Sequence, residues 1–237
     1  MMIDVLGRFI VLEGLDGSGS STQARMLSEK LVQNGRRVWQ TSEPSSGLVG
    51  KLIKQLFSGT VVLPPDCDVR DRQFAYLFAA DRFDHLHNPT TGVLKHLAES
   101  VDVVSTRYFF SSLAYNAETA EGQSLVRRLN ADFPAPDGLV YLDCPVDISI
   151  RRLTHSRPRL DTYENRDKLL NVRENYDKVI GEYKGRKLIV DASLPRNVIA
   201  EKIFDFVTLT HPTLAELSRT HSAHELVEEL VVEAERK

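Results

Sequence analysis

The sequence predicts an α/β fold in three layers, a sandwich with a central parallel sheet between two layers of helices. Short apolar runs of strand length alternate with longer stretches whose apolar residues recur at helical spacing. Such alternation favours parallel strands joined by right-handed helical crossovers. The size agrees, because 237 residues, 42% of them hydrophobic, can bury one substantial core.

The predicted strands are short and apolar, and the predicted helices fill the intervals between them. We expect strands at residues 8–12, 37–41, 101–105, 139–143 and 187–191. We expect helices at residues 22–33, 69–87, 112–130, 146–155 and 165–183. Residues 58–68 include Pro64-Pro65 and predict a surface loop.

The composition changes near residue 208 and divides the chain. Residues 1–207 carry the alternating pattern and predict one domain. Residues 208–237 are polar and charged, with an apolar stripe formed by Leu226, Val227, Leu230 and Val231. This stripe predicts a C-terminal helical extension, which either packs on its own domain or binds a partner.

Charge and cysteine usage narrow the class of protein. The formal charge is −3, from 30 basic and 33 acidic residues, so no overall positive field would recruit nucleic acid. Cys67 and Cys144 lie far apart without metal-ligand spacing, which suits a reducing cytosol. No apolar run approaches the ~20 residues that span a bilayer. We therefore expect a cytoplasmic protein without membrane or nucleic-acid partners.

The most informative segment is glycine-rich and lies between the first predicted strand and the first predicted helix. It comprises Gly14, Leu15, Asp16, Gly17, Ser18, Gly19, Ser20, Ser21 and Thr22. Glycines allow a tight turn that points successive N–H groups inward, and the following helix presents its positive dipole end to the same space. This phosphate loop, residues 14–22, predicts binding of a nucleotide polyphosphate such as ATP.

The phosphate loop departs from the usual pattern at one position. Ser20 stands where G-x-x-x-x-G-K-[ST] has the lysine that reaches the β- and γ-phosphates. Ser21 holds the position whose hydroxyl ligates Mg²⁺. Asp16 either orients a sugar hydroxyl or magnesium water, or only caps the turn. A loop that binds phosphate but no longer catalyses remains an alternative.

Arginines recur near the predicted strand ends and in the helices that follow. They are Arg82, Arg107, Arg152, Arg157 and Arg159. A single arginine is more often a solvated surface charge. Together with the phosphate loop they predict a site for phosphoryl transfer, because guanidinium groups hold phosphates bidentately.

Four blocks give residues 7–207 a specific resemblance to the thymidylate kinase family. They are the loop block at residues 13–23, Ser42-Glu43-Pro44, residues 76–85 with Leu-Phe-Ala-Ala-Asp-Arg, and residues 107–116 with Arg-Tyr, Ser-Ser and Ala-Tyr. The resemblance implies a P-loop nucleoside-monophosphate kinase that uses ATP and Mg²⁺ to convert dTMP to dTDP. It also implies a homodimer.

The resemblance assigns the acceptor side residue by residue. It implies that Phe78 stacks on thymine and that Arg82, on the same helical face, binds the thymine carbonyl. Arg107 is implied to grip the acceptor phosphate, and Tyr115 to lie against the sugar. Glu43, in the Glu-Pro turn, and Asn116, in place of the family's glutamine, complete the expected substrate-binding set.

On the donor side, the resemblance implies that Arg152 stacks on adenine and that residues 153–164 form a lid. With Asp16 and Arg107, the lid arginines Arg157 and Arg159 complete the expected catalytic set. The remaining departures are Thr106 for the family's aspartate and Thr162 for a lid arginine.

The missing lysine and lid arginine would each have stabilised the negative charge of the transition state. Arg157, Arg159 or Lys51 could supply the positive charge instead. Two rival readings stay open. One is a kinase for another deoxynucleoside monophosphate or a deoxynucleoside. The other is a catalytically silent nucleotide-binding protein whose C-terminal helix binds a partner.

Overall fold

The computed structural model describes residues 6–115, 119–156 and 166–209. The chain divides into two units, Met1–Phe204 and Asp205–Lys237. The fold and the candidate site described below belong to the first unit. The predicted C-terminal extension lies outside the described residues from position 210 onward.

The described elements alternate between strands and helices. The strands are β1 (Phe9–Gly14), β2 (Val38–Ser42), β3 (Asp102–Thr106), β4 (Gly138–Asp143) and β5 (Lys187–Asp191). The helices are α1 (Ser20–Gln33), α2 (Leu48–Phe57), α3 (Cys67–His87), α4 (Val93–Ala98), α5 (Phe109–Tyr115), α6 (Ala120–Leu129), α7 (Val146–Ser156), α8 (Arg166–Glu182) and α9 (Arg196–Thr208).

The five strands form one parallel sheet in the order β2-β3-β1-β4-β5. Strand β1 is central, pairing through Phe9 with Val103 of β3 and through Ile10 with Gly138 of β4. The predicted fold class is confirmed. The chain leaves β1 toward β2 and later crosses to β4 on the other side. Sheets of this kind bind ligands beyond the carboxyl ends of the strands at such a switch point, so the end of β1 is the expected place for the site.

The central strands are buried on both faces. Every residue of β1 is buried, and β3 is buried throughout. This explains why both read as continuous apolar runs in the sequence, since helices cover both faces of a parallel sheet. The buried charged residues Glu13 and Asp102 interrupt these runs, and each is bound by several donors.

Asp102 ties together the amino ends of three neighbouring strands. Its carboxylate accepts hydrogen bonds from the Arg8 backbone N–H at 2.9 Å and from Arg8 Nη2 at 2.6 Å, just before β1. Arg36, just before β2, donates from Nε at 2.9 Å and Nη2 at 2.7 Å. Burial raises the pKa of Asp102, but these bonds outweigh it and lower the pKa to about 2.

The helix expected at residues 112–130 was predicted wrongly. The structure has two helices there, α5 and α6. Helix α6 starts at Ala120, and its N-cap is Thr119, whose side chain accepts a hydrogen bond from the Gly122 N–H at 3.1 Å. Such a cap satisfies a free N–H group of the first turn, so it favours a new helix start. The helices α2, α4 and α9 were not predicted. No helix among the described residues is long and apolar enough to cross a membrane.

Candidate active site

The phosphate loop turns back on itself at the carboxyl end of β1. Gly14, Gly17 and Gly19 have φ values of 153°, 78° and 99°, which favour glycine. A Cβ atom on Gly17 would lie 2.7 Å from the Ser149 carbonyl oxygen, so α7 leaves no room for a side chain. The glycine spacing seen in the sequence therefore reflects both backbone conformation and close packing.

Helix α1 begins directly at the end of the phosphate loop. Its N-cap is Gly19, which has no side chain to satisfy the first N–H groups of the helix. Ser20 and Ser21 form the start of α1, and Ser21 and Thr22 are exposed. No acidic residue lies in the first turn. These free donors and the helix dipole make the loop suitable for an anion such as a phosphate chain.

Arg107 joins the end of β3 to the phosphate loop. Its Nη2 donates to Asp16 Oδ1 at 2.7 Å, and its guanidinium carbon lies 4.9 Å from the centre of the Tyr115 ring. The Tyr115 hydroxyl donates to Asp16 Oδ2 at 3.3 Å. The structure thus brings together three predicted site residues from the loop, β3 and α5. Arg107 adopts a φ of 69°, a conformation that is costly for a residue with a side chain and that recurs at functional sites.

The buried carboxylate of Glu13 lies next to this cluster and accepts hydrogen bonds from its neighbours. Glu13 is fully buried and accepts hydrogen bonds from the Tyr108 N–H at 2.7 Å, the Ser111 hydroxyl at 2.6 Å and the Tyr176 hydroxyl at 2.9 Å. Burial raises the pKa of Glu13, and the positive charge of Arg107 opposes that rise. The charge of Arg107 is itself favoured by Asp16, whose carboxylate raises the Arg107 pKa although burial opposes it.

Arg82 lies in a second buried cluster, beside the first. It is fully buried and donates to Glu43 Oε2 from Nε at 2.9 Å and from Nη2 at 2.6 Å. It also donates to Asn130 Oδ1, and to Ser112 Oγ at 3.3 Å. Four hydrogen bonds occupy a guanidinium that has five N–H groups. One N–H on Nη1 has no acceptor among the described residues, and the predicted base-reading role of this fully buried side chain stays a prediction.

Helix α5 connects the two arginine clusters through adjacent serines. Ser111 Oγ accepts from Arg107 at 3.1 Å, and Ser112 Oγ accepts from Arg82 at 3.3 Å. Phe78 lies one turn before Arg82 on α3, as the sequence predicts. It is half-buried and packs against Phe57 and Phe74, with ring centres 6.2 and 6.3 Å away. Its contact with thymine stays a prediction.

Arg152 lies beside the phosphate loop rather than within it. Its Nη1 donates to the Ser18 carbonyl at 3.2 Å, and its Nη2 donates to the Ala192 carbonyl, beyond β5, at 2.9 Å. Its predicted contact with adenine stays a prediction. Lys51 is exposed on α2.

The lid and one acceptor residue stay predictions of the sequence. Asn116, Arg157, Arg159 and Thr162 lie outside the described residues. Thr106 ends β3 and is buried, and its carbonyl accepts from the Glu43 N–H at 3.0 Å. Within the described part of the chain, Arg107 and Arg152 are the charged side chains from outside the loop that donate hydrogen bonds to it.

Several supporting residues were missed by sequence reasoning. Glu13 could have been found from the sequence, because burying a carboxylate in an apolar strand costs free energy unless hydrogen-bond donors surround it. No feature of the sequence pointed to Tyr176 on α8 or Ser149 on α7. Their roles depend on the packing of helices far from the loop in sequence.

Comparison with known proteins identifies the family to which the chain belongs. The family model "Thymidylate kinase" matches residues 12–203. A Treponema pallidum protein that carries the thymidylate kinase name is 32% identical over 206 residues, covering 85% of this chain and 95% of that relative. The "Probable thymidylate kinase" of Pyrococcus abyssi is 37% identical over 189 residues, covering 77% and 87%. The chain therefore belongs to the thymidylate kinase family and is a phosphotransferase of the dTMP kinase type.

Proposed function

We propose that the described clusters divide the reaction between them, with ATP on the phosphate loop and dTMP between Arg107 and the Phe78–Arg82 face of α3. The observation that carries this proposal is the Arg107–Asp16 ion pair at 2.7 Å. It places a cation from the end of β3 directly beside the loop that would hold the phosphate chain. A cation at this junction can contact both the acceptor phosphate and the transferred group.

On the donor side, residues 14–22 would bind the ATP phosphates through backbone N–H groups, and Arg152 would contact the adenine. The side chains present fit Mg²⁺, because Ser21 offers an exposed hydroxyl and Asp16 a carboxylate that is one-third exposed. Mg²⁺ usually keeps several waters and takes few protein ligands beside substrate phosphates. When bound, it would neutralise phosphate charge and orient the leaving group.

On the acceptor side, Phe78 would stack on thymine, and the remaining Arg82 N–H would bind a base carbonyl. Glu43 would hold Arg82 rather than contact dTMP directly, since both its short hydrogen bonds go to that guanidinium. Tyr115 would face the sugar, as would Asn116. Burial and the Asp16 carboxylate raise the pKa of Tyr115, so its phenol stays protonated and can donate a hydrogen bond.

The transfer would be direct. A phosphate oxygen of dTMP attacks the γ-phosphorus of ATP in line, a new P–O bond forms, and the bond to the ADP oxygen breaks. Arg107 would stabilise the negative charge on the transferred group. Arg157 and Arg159 would add charge from the lid, and closure of residues 153–164 would exclude water.

The first test is a coupled assay of ADP formation with MgATP and a panel of dTMP, dUMP, dCMP, dGMP and thymidine. We expect turnover that is selective for dTMP, because Phe78 and Arg82 suit a pyrimidine with a 4-carbonyl group. Selective turnover of another member of the panel would replace the proposed acceptor. A calorimetric titration with dTMP, run in parallel, separates binding from turnover.

A silent nucleotide-binding protein is the second candidate, motivated by Ser20 and Thr106 at positions where the family pattern has lysine and aspartate. It predicts tight binding of dTMP without ADP formation. The acceptor residues Phe78, Arg82 and Arg107 are retained; Arg82 is held by the buried Glu43, and Arg107 pairs with the partly exposed Asp16. These residues argue against a protein that binds only ATP, whereas the comparison of dTMP binding with ADP formation separates a silent dTMP-binding protein from a kinase.

We also propose a homodimer that forms through α3. Val69, Tyr76 and Phe83 recur every seven residues along this helix and are 53%, 52% and 60% exposed. Apolar side chains at this spacing form one stripe, and exposed apolar stripes mark association surfaces. We propose cytoplasmic residence and no nucleic-acid partner, from the cysteine usage and the net charge of −3.

A further inference from the structure

Helix α7 forms hydrogen bonds to the outer side of the phosphate loop. Ser149 Oγ donates to the Asp16 carbonyl oxygen. Arg152 Nη1 donates to the Ser18 carbonyl oxygen at 3.2 Å and reaches the Gly17 carbonyl oxygen at 3.4 Å. The two side chains share one helical face because they are three residues apart. Ser149 is fully buried, so this contact is part of the packed interior.

The hydrogen bonds from α7 fix the orientation of two peptide groups of the loop, Asp16–Gly17 and Ser18–Gly19. In a trans peptide, the C=O of one residue and the N–H of the next point in opposite directions. The Asp16 carbonyl therefore sets the direction of the Gly17 N–H, and the Ser18 carbonyl that of the Gly19 N–H. Among the described residues, neither N–H donates to a protein acceptor, whereas the Ser18 N–H donates to Leu15 O at 3.0 Å.

Arg152 can orient the loop peptides because it is charged and because a second hydrogen bond, to Ala192, holds its guanidinium in place. Its hydrogen bonds within the described residues go to backbone carbonyls and to the Cys144 sulfur, not to a carboxylate. A charged donor polarises the peptide group that it binds, so the N–H on the opposite side becomes a stronger donor. The bond to Ala192, at 2.9 Å, fixes the guanidinium against the end of β5.

We propose that Ser149 and Arg152 are positioning residues that hold the Gly17 and Gly19 N–H groups toward the nucleotide phosphates. They act through the loop backbone, independently of any contact between Arg152 and adenine. The effect is important in this chain because Ser20 supplies no lysine charge inside the loop. The inference rests on the proposed phosphate site and adds to it the side chains that orient its donors.

The test is calorimetric titration of the full chain with magnesium tripolyphosphate, which has phosphates but no adenine. Ser149→Ala removes one bond. Arg152→Lys keeps the charge but cannot span Ser18 and Ala192 with a planar fork. We expect each variant to weaken tripolyphosphate binding about 3- to 10-fold and to raise the KM for ATP, with dTMP affinity unchanged. The matched control is Ser28→Ala, since Ser28 Oγ donates to the Ala24 carbonyl at 2.8 Å on α1. It should change nothing.

The outcomes separate this inference from the proposed function. Wild-type binding of tripolyphosphate with unchanged binding by both variants would overturn the positioning role alone. An equal loss of dTMP affinity, or a similar loss in Ser28→Ala, would also overturn it, because the effect would then be general loosening. Absence of tripolyphosphate binding by the wild-type chain would overturn both the phosphate site and its positioning.

Discussion

Arg107 is the residue on which the candidate site depends most. It contacts Asp16, Tyr115 and Ser111 and comes from a strand end that adjoins the phosphate loop. Its positive φ of 69° directs the side chain into the site at a cost in backbone energy. A surface arginine would not need such a conformation. This combination favours a role in binding phosphate over one in packing alone.

Replacing Arg107 tests this role. We expect Arg107→Ala to lower kcat/KM for dTMP by about 10²-fold or more, because it removes a charged donor from the transferred phosphate. Arg25→Ala is the control, since Arg25 forms an exposed i, i+4 pair with Glu29 on α1 and should leave kcat/KM unchanged. Steady-state kinetics with both substrates varied would measure the change. Activity within twofold of the wild type would remove Arg107 from the mechanism.

Phe78 gives a second prediction for a single side chain. Stacking of a base on an aromatic ring contributes about 1–3 kcal/mol. Phe78→Ala should therefore raise the KM for dTMP about 5- to 150-fold while the KM for ATP stays near that of the wild type. Phe78→Tyr is the matched control, because it retains a ring that can stack. A variant that loses affinity for both nucleotides equally would indicate a packing role within the cluster of Phe57 and Phe74.

At the scale of secondary-structure elements, the buried carboxylate of Asp102 connects three strands at the end of the sheet opposite the site. Both of its arginine partners precede strands that pair within this sheet, β1 and β2. The lowered pKa shows that the folded state favours the ionised form. Folding is therefore coupled to the ionisation of Asp102.

This coupling predicts a pH dependence of stability. The pKa of Asp102 falls from an unfolded value of 3.8 to about 2. The stabilisation is therefore fully present above pH 3.8 and is lost as the pH falls toward 2. Asp102→Asn should lower the free energy of unfolding by about 2 kcal/mol at pH 7, and its difference from the wild type should shrink in acid.

Denaturant unfolding at several pH values would measure the difference. Asp132→Asn, at an exposed position, is the control and should follow the wild-type curve at every pH. A constant difference between Asp102→Asn and the wild type from pH 7 to pH 2 would mean that the carboxylate acts by shape and not by charge.

The elements also show what the sequence could and could not predict. Periodicity located every strand of the described sheet to within two residues, because central parallel strands are continuous apolar runs. It merged α5 and α6, because the Thr119 cap that restarts the helix is a local signal within a longer helical pattern. The resemblance brought Asp16, Arg107 and Tyr115 to one site, whereas the supports Tyr176 and Ser149 could not be foreseen, since they depend on how α8 and α7 pack.

At the scale of the whole molecule, the apolar stripe of α3 links the proposed dimer to the active site. Phe78 and Arg82 lie on the same helix as Val69, Tyr76 and Phe83, but the stripe is exposed while Arg82 is fully buried. Dimer contacts on one face of α3 would therefore stabilise the position of this helix, whose other face carries the acceptor residues. Dimer formation and acceptor affinity should be coupled in this arrangement.

A charge placed in the stripe tests both the dimer and its coupling to the site. Phe83→Glu should convert the dimer to a monomer at micromolar concentration, because association would bury an unpaired carboxylate. The KM for dTMP should rise more than the KM for ATP, since α3 carries the acceptor residues. Sedimentation velocity and steady-state kinetics would measure the two effects. The control is Val62→Glu, at a position that is 94% exposed before α3 and outside the stripe. A wild-type chain that sediments as a monomer would contradict the dimer, and a monomeric Phe83→Glu variant with unchanged dTMP kinetics would contradict the coupling.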